Sequence, residues 1–264
     1  MSKPKDSIAK TIGVAAALCI VCSIMVSMAA VMLKPLQVEN QKLDIKKNLL
    51  AAAGLVKSGA TKVEIEQAFA NVKTILINLD QGQEDQSVDL ATFDQVKAAK
   101  DATLGKLIDA KTDVAKIKRR ERHSKVYLVG SNGQVELIVL PIYGKGLWST
   151  MYGFIALAPD TKTVRGFSFY QHGETPGLGG EIDNKKWQAS WIGKIALDGG
   201  NFGPIIRVLK GKVNSASPQA ASQVDGLSGA TLTSRGVEGM VRYWLGKDGF
   251  GPFLANFRQG GITL

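Results

Sequence analysis

The residues best placed to do chemistry lie in the segment Asp225-Gly226-Leu227-Ser228-Gly229-Ala230-Thr231-Leu232-Thr233-Ser234. Four hydroxyls, on Ser228, Thr231, Thr233 and Ser234, stand among small residues directly ahead of an amphipathic run. Small residues let backbone N–H groups approach a ligand closely. The positive dipole end of the following helix attracts anions. This combination fits a phosphate held at Thr231, with Arg235 in the first helical turn and Lys210 and Lys212 upstream adding charge. A tight strand-to-helix connection without any ligand fits the same spacing equally well.

Two further glycine-rich segments precede it. Gly144-Lys145-Gly146-Leu147-Trp148-Ser149-Thr150-Met151-Tyr152-Gly153 is the first, and His172-Gly173-Glu174-Thr175-Pro176-Gly177-Leu178-Gly179-Gly180-Glu181 the second. The second is no dinucleotide fingerprint, because Ile182 stands where the third glycine of Gly-x-Gly-x-x-Gly is needed. Nor is the third a hydrolase elbow. Ala230 replaces the second glycine of Gly-x-Ser-x-Gly, and both histidines, His123 and His172, precede Ser228. No His, Cys or carboxylate cluster has metal-ligand spacing. His172 reads as a hydrogen-bonding loop residue and not as a general base.

These segments need elements to position them. Residues 11–33 carry no charge, and at ~1.5 Å per residue they span ~34 Å as a helix, enough for a ~30 Å hydrocarbon core. Lys3, Lys5 and Lys10 precede the run and only Lys34 follows closely, which predicts a cytoplasmic N-terminus and an exported bulk. Ser27-Met28-Ala29 offers a small-x-small cleavage site, but the apolar run is longer than a signal peptide needs, so an uncleaved anchor is favoured. Cys19 and Cys22, the two cysteines of the chain, both lie in this run, so no intrachain disulfide staples the remainder. The formal charge of +10 has no nucleic-acid motif with it, and its densest cluster, Lys118-Arg119-Arg120-Glu121-Arg122, reads as a solvated helix end.

Residues 41–122 read as mostly helical. Leu43, Leu50, Leu55 and Val56 mark one apolar face. Thr61-Lys62-Val63-Glu64 forms a capping box, and Phe69, Val72, Ile75, Leu76 and Leu79 follow at helical spacing. From Lys125 the pattern turns to strands. Val126–Val129 and Val135–Leu140 flank Ser131-Asn132-Gly133, and Met151–Ala158 and Val164–Tyr170 flank Pro159-Asp160-Thr161-Lys162, giving two hairpins. Residues 181–192 read as a helix with Trp187 and Trp191 on one face. Val237, Met240, Val241, Trp244 and Leu245 define an amphipathic helix, capped by Thr233 or Ser234 and ended by Gly246. Phe253 and Phe257 suit a last short helix. The expected fold is α+β: one N-terminal transmembrane helix, a helical layer, and an antiparallel sheet with helices. The expected divisions are a tip and anchor over 1–34, a mostly helical periplasmic region over 35–122, and the sheet domain over 123–264.

The stretch Asp225-Gly226-Leu227-Ser228-Gly229-Ala230-Thr231 resembles the flavinylation motif of the FMN-binding domain family. All three glycine-rich segments occur in that family's order. The whole chain is similar to the C-subunit family of sodium-translocating NADH:quinone oxidoreductases, whose domain is shared by the G-subunit of the Rnf electron-transport complex. The resemblance implies FMN joined through its phosphate to Thr231 by a separate flavin transferase. That suits the residues, because a threonine hydroxyl is a poor nucleophile at neutral pH and no base adjoins Thr231 in sequence. The resemblance also implies that Glu174, Thr175, Leu178 and Gly179 contact the ring, with Leu178 packing on its face. Trp148, Ser149, Lys212, Asp225, Ser228, Gly229, Ala230 and Leu232 complete the expected FMN-binding set. The implied function is electron relay in an inner-membrane complex that oxidises NADH, reduces ubiquinone and exports sodium ions. The other subunits are the implied partners and supply the NADH, quinone and ion sites, since a span without ionisable residues offers no ion path. Two alternatives remain: the G-subunit of an Rnf-type complex, and a non-redox exported module that binds a soluble phosphate ligand.

Overall fold

The computed structural model describes residues 7–57, 59–199 and 203–260. Lys3 and Lys5, used above for orientation, lie outside the described residues. The chain divides into two units, Met1–Asp44 and Ile45–Leu264.

The first unit consists of most of helix α1, Ile8–Ala52, which includes Pro35. Ile12, Leu18, Ile20, Ile24, Met28 and Val31 are all exposed, so the stretch 11–33 of the helix is apolar on every side and uncovered. Such a surface is stable only in an apolar solvent, which fits membrane anchoring. Cys19 and Cys22 are exposed on it as free thiols.

The second unit is built on a six-stranded antiparallel sheet. In chain order its elements are α2 (Lys62–Phe69), β1 (Val72–Asn78), β2 (Gln83–Glu84), α3 (Gln95–Lys100), β3 (Gly105–Leu107), β4 (Arg119–Glu121), β5 (His123–Ser131), β6 (Gln134–Lys145), β7 (Thr150–Leu157), β8 (Val164–Gln171), α4 (Lys185–Ala189), β9 (Arg207–Val208), β10 (Gln223–Val224), α5 (Thr231–Trp244) and α6 (Gly251–Arg258). The sheet order is β2-β1-β5-β6-β7-β8. Both expected hairpins form. Ser131 pairs with Gln134, and Asn132 and Gly133 take φ of 52° and 78°, the left-handed pair that a two-residue hairpin turn requires. In the β7–β8 turn, the Asp160 carboxylate accepts from the Lys162 and Thr163 amides.

Several expectations need correction. The capping box at Thr61 forms, but its helix stops at Phe69, and the apolar run that continued its spacing is strand β1. β1 pairs with β5 from Val72↔Val129 to Asn78↔His123, so the main sheet crosses the expected 122/123 division. The basic cluster is not a solvated helix end. It is strand β4, with Arg120 buried against Asp80 at 2.5 Å and Glu121 wholly buried. The helix expected over 181–192 is shorter, a 3-10 turn at Gly179–Asp183 followed by α4. Trp187 and Trp191 nonetheless share a buried cluster with Phe167, which stacks on Trp191 at 4.3 Å.

The core that positions the site lies between the sheet and α5. Val237, Met240, Val241 and Trp244 pack against Ile138, Leu140, Ile142 and Ile155. A Cβ on Gly144 would stand 2.7 Å from the Met240 Cβ, so only glycine in β6 lets α5 lie this close. The Trp244 indole N–H donates to the Tyr143 carbonyl at 2.6 Å and ties the far end of the helix to the same strand.

Candidate functional site

The three glycine-rich segments, distant in sequence, meet at the N-terminal end of α5. The first is the β6–β7 connection, closed by the Gly146 amide donating to the Ser149 carbonyl at 2.8 Å. The second leaves β8. Its Gly173 amide donates to Ser149 Oγ at 2.6 Å, which links it to the first. The third runs from β10 into α5. A Cβ on Gly179 would lie 2.6 Å from Thr233 Oγ1, and a Cβ on Gly229, where φ is +71°, would lie 3.0 Å from Leu178 Cδ2. The second and third segments are therefore in direct contact.

One carboxylate sits at the junction. Glu174 Oε1 accepts from the Trp148 and Ser149 amides at 2.9 and 3.2 Å, and Oε2 accepts from the Leu147 amide at 3.1 Å and Thr233 Oγ1 at 2.6 Å. Burial opposes its charge, but the Thr233 hydroxyl and the three amides prevail and hold the carboxyl below its ordinary range. A Cβ on Gly146 would stand 2.5 Å from Oε1, so glycine there leaves room for the carboxylate. Glu174 was expected to touch a flavin ring. Its side chain is buried and its carboxylate is engaged within the protein. His172 is a hydrogen-bonding loop residue, as expected. Its Nδ1 accepts from the Glu174 amide at 3.2 Å, which places the ring proton on Nε2, facing Asp183 Oδ2 at 2.7 Å.

The start of α5 also departs from expectation. Neither Thr233 nor Ser234 caps it. Thr233 is committed to Glu174, and Ser234 Oγ accepts from the Leu227 amide at 3.0 Å. The N-cap is Ala230, which has no side-chain acceptor to offer. A 14-residue helix thus begins with first-turn amides that no side chain caps, and Thr231 is its first residue. Among the described residues, no hydrogen bond engages the Thr231 hydroxyl. Ser228 and Gly229 are exposed beside it, and Ala230 is buried.

Around that helix end lies an apolar surface open to solvent. Trp148 is 67% exposed, Leu232 56% and Leu178 46%, with Leu147 alongside Trp148 in the chain. A tryptophan free of the core, with three leucines from the same converging segments, offers a planar heteroaromatic ring an apolar bed. Thr175 is exposed as well. Asp225 is engaged within the protein. Its carboxylate accepts from the Val213 amide at 2.7 Å, and its carbonyl accepts from the Trp187 indole at 2.8 Å. Lys212 is exposed on the loop after β9, next to Gly211, whose carbonyl accepts from the Gly226 amide of the motif. Among the described residues no group of acidic, His and Cys side chains could hold a metal ion.

Known proteins resemble this chain along its length. Residues 146–246 match the FMN-binding domain model, a span that contains all three converging loops. The chain is 48% identical to the C-subunit of the Na(+)-translocating NADH-quinone reductase of Pseudomonas aeruginosa, over 97% of this chain and 98% of that one. Identity to the corresponding protein of Yersinia pestis is 47%, over 98% and 97%. The crystal structure of Shewanella oneidensis NqrC superposes with a TM-score of 0.75 at 35% identity, covering 84% of this chain and 99% of that one. The chain belongs to the C-subunit family of Na(+)-translocating NADH-quinone reductases.

With the family established, the residues can be tested against a flavin nucleotide. A phosphate at Thr231 would meet uncapped helix amides, and a ring would meet Trp148, Leu178 and Leu232, so the set fits the group. Sequence reasoning missed the Glu174 hub. The one available signal was a lone carboxylate in a glycine-rich loop, and nothing local says that its partners lie 25 to 59 residues away. Trp187 was read as a helix-face residue, and its hold on the motif at Asp225 went unseen.

Proposed function

We propose that this chain is the flavin-carrying electron-transfer subunit of an inner-membrane complex that oxidises NADH, reduces ubiquinone and exports sodium ions, with FMN joined by its phosphate to Thr231. The observation that carries this reading is the uncapped start of α5. It sets a free hydroxyl at the positive end of a helix dipole, next to an apolar surface. When bound, FMN supplies one- and two-electron transfer chemistry, which no side chain here provides.

The chain's own residues do the rest. First-turn amides of α5 and the dipole hold the phosphate. Ser228, Gly229 and Ala230 keep the approach to Thr231 unobstructed. Trp148, Leu178 and Leu232 provide the ring's apolar bed, with Thr175 and Gly179 at its polar edge. Lys212 adds positive charge from the loop that follows β9. No base adjoins Thr231 in sequence, so a separate flavin transferase would make the bond: the Thr231 oxygen would take FMN from FAD, the pyrophosphate link would break, AMP would leave and the hydroxyl proton would be lost. The N-terminus lies in the cytoplasm and the second unit in the periplasm, because Lys3, Lys5 and Lys10 precede the span and only Lys34 follows closely. The sodium path belongs to partner subunits, because residues 11–33 hold no Asp, Glu, Lys, Arg or His, and the NADH and quinone sites are assigned to the same partners.

The test is peptide mass mapping after coexpression with a flavin transferase. The FMN phosphoester is expected on Thr231, and Thr231→Ala should abolish in-gel flavin fluorescence. An adduct on Ser228, Thr233 or Ser234 would overturn the assignment. No adduct on the wild-type chain would overturn the covalent link.

A further inference from the structure

All three loops at the site meet on one acidic side chain, and every atom hydrogen-bonded to it is a donor. The amides of Leu147, Trp148 and Ser149 are consecutive donors aimed at Glu174, and the Thr233 hydroxyl reaches it from α5. This is an anion nest whose anion is supplied by the protein itself. Its members belong to the two parts of the proposed flavin site: the loop that carries Trp148, and the first turn of the helix that begins at Thr231. Gly146 and Gly179 leave room for the carboxylate, since a Cβ on either would come within 2.9 Å of a carboxylate oxygen. The residue is 5% exposed, so little water screens its charge.

We infer that Glu174 is a positioning residue for the flavin, fixing the Trp148 loop against the start of α5 and lowering the flavin's reduction potential through its unscreened negative charge. This rests on the flavin reading above. A mechanical brace alone would need only hydrogen bonds. A buried charge does more, because adding electrons near it is opposed by Coulomb repulsion. The four donors partly compensate that charge, so removing a donor and removing the charge should act in opposite directions.

Two substitutions separate these effects in the full-length chain. Glu174→Gln keeps the shape, removes the charge, and turns an amide NH2 toward a row of N–H donors. Thr233→Val keeps the charge and the β-branched shape but deletes one donor. Redox titration of the flavin-loaded chain should move to a more positive potential in Glu174→Gln, by about tenfold in the two-electron equilibrium, or about 30 mV. Thr233→Val should move it to a more negative potential. Shifts of the same sign in both variants, or none in either, would overturn the inference. If Glu174→Gln fails to fold, an unchanged or more positive potential in Thr233→Val alone would overturn it.

The positioning half has a readout without flavin. Chain made without a transferase, with 5-fluorotryptophan at its 4 tryptophans, gives one fluorine signal for each. The Trp148 signal, assigned by Trp148→Phe, should move and narrow in Glu174→Gln. The buried Trp187, Trp191 and Trp244 should stay in place. An unmoved Trp148 signal in a folded Glu174→Gln chain would overturn the brace. A wild-type chain that takes up no flavin would sink the flavin reading and the potential claim with it, and the fluorine measurement would still decide the brace.

Discussion

Glu121 offers a perturbation whose size can be worked out from its surroundings. It lies in β4 with no exposed surface. Its Oε1 accepts from Gln95 Nε2 at 2.5 Å and its Oε2 from the Tyr143 hydroxyl at 2.7 Å. Burial pushes the carboxyl up from 4.5 to about 7, against the opposing pull of the Tyr143 and Gln95 hydrogen bonds and of the Arg120 charge. The folded chain therefore holds this proton where the unfolded chain has released it. Stability from this group is fully present below about pH 4.5, and falls as pH rises toward about 7. At about 1.36 kcal/mol per pH unit, the loss across that window is about 3 kcal/mol. Glu121→Gln keeps the shape, still accepts from Tyr143, and cannot ionise. Unfolding by urea in detergent, on chain made without a transferase, would be followed between about pH 4.5 and about pH 8 for both proteins. The wild type should lose about 3 kcal/mol relative to the variant over that range. Other groups that titrate there are common to both chains and cancel in the difference. A difference that stays constant within about 0.5 kcal/mol would refute the reasoning, because it would mean that Glu121 is already ionised in the folded state.

Three other outcomes follow from the geometry. Gly226→Ala would drive a Cβ into the Leu209 carbonyl oxygen, a backbone atom that cannot swing away. It should cost about 1–3 kcal/mol in urea unfolding and reduce in-gel flavin labelling, and full labelling at unchanged stability would contradict the close approach. Trp148→Ala removes an exposed side chain, so stability should change by less than about 0.5 kcal/mol while the bound flavin's absorption band shifts; an unaltered band would place the ring elsewhere. A reporter fused after Leu264 should be active only if it functions in the periplasm, and activity of a cytoplasm-only reporter there would reverse the proposed orientation.

The local part of this fold was legible in the amino-acid sequence. Turn chemistry is a property of adjacent residues, so Asn132-Gly133 and Pro159-Asp160-Thr161-Lys162 marked both hairpins correctly. An uninterrupted apolar run marked α1, and the spacing of Val237, Met240, Val241 and Trp244 marked α5. The motif ending at Thr231 led to the right family. Strand β1 was not legible. Val72, Ile75, Leu76 and Leu79 satisfy helical spacing, and burial of Ile75, Leu76 and Ile77 in succession removes the alternation that would have signalled a strand. Only pairing with β5, far along the chain, makes it one.

The same division runs through the site. The sequence by itself determined which residues are small, which carry hydroxyls, and that a helix starts at the motif. Where each hydroxyl points was decided by tertiary structure. Thr233 and Ser234 are good caps by type, yet Thr233 goes to Glu174 and Ser234 to the Leu227 amide. A buried carboxylate facing three amides gains more from a fourth donor than a solvent-accessible helix end gains from a cap. That preference exists only once β6, β7 and β8 have brought residues 147–149 and 174 under the first turn of α5. It leaves Thr231 at a helix end that no side chain has closed.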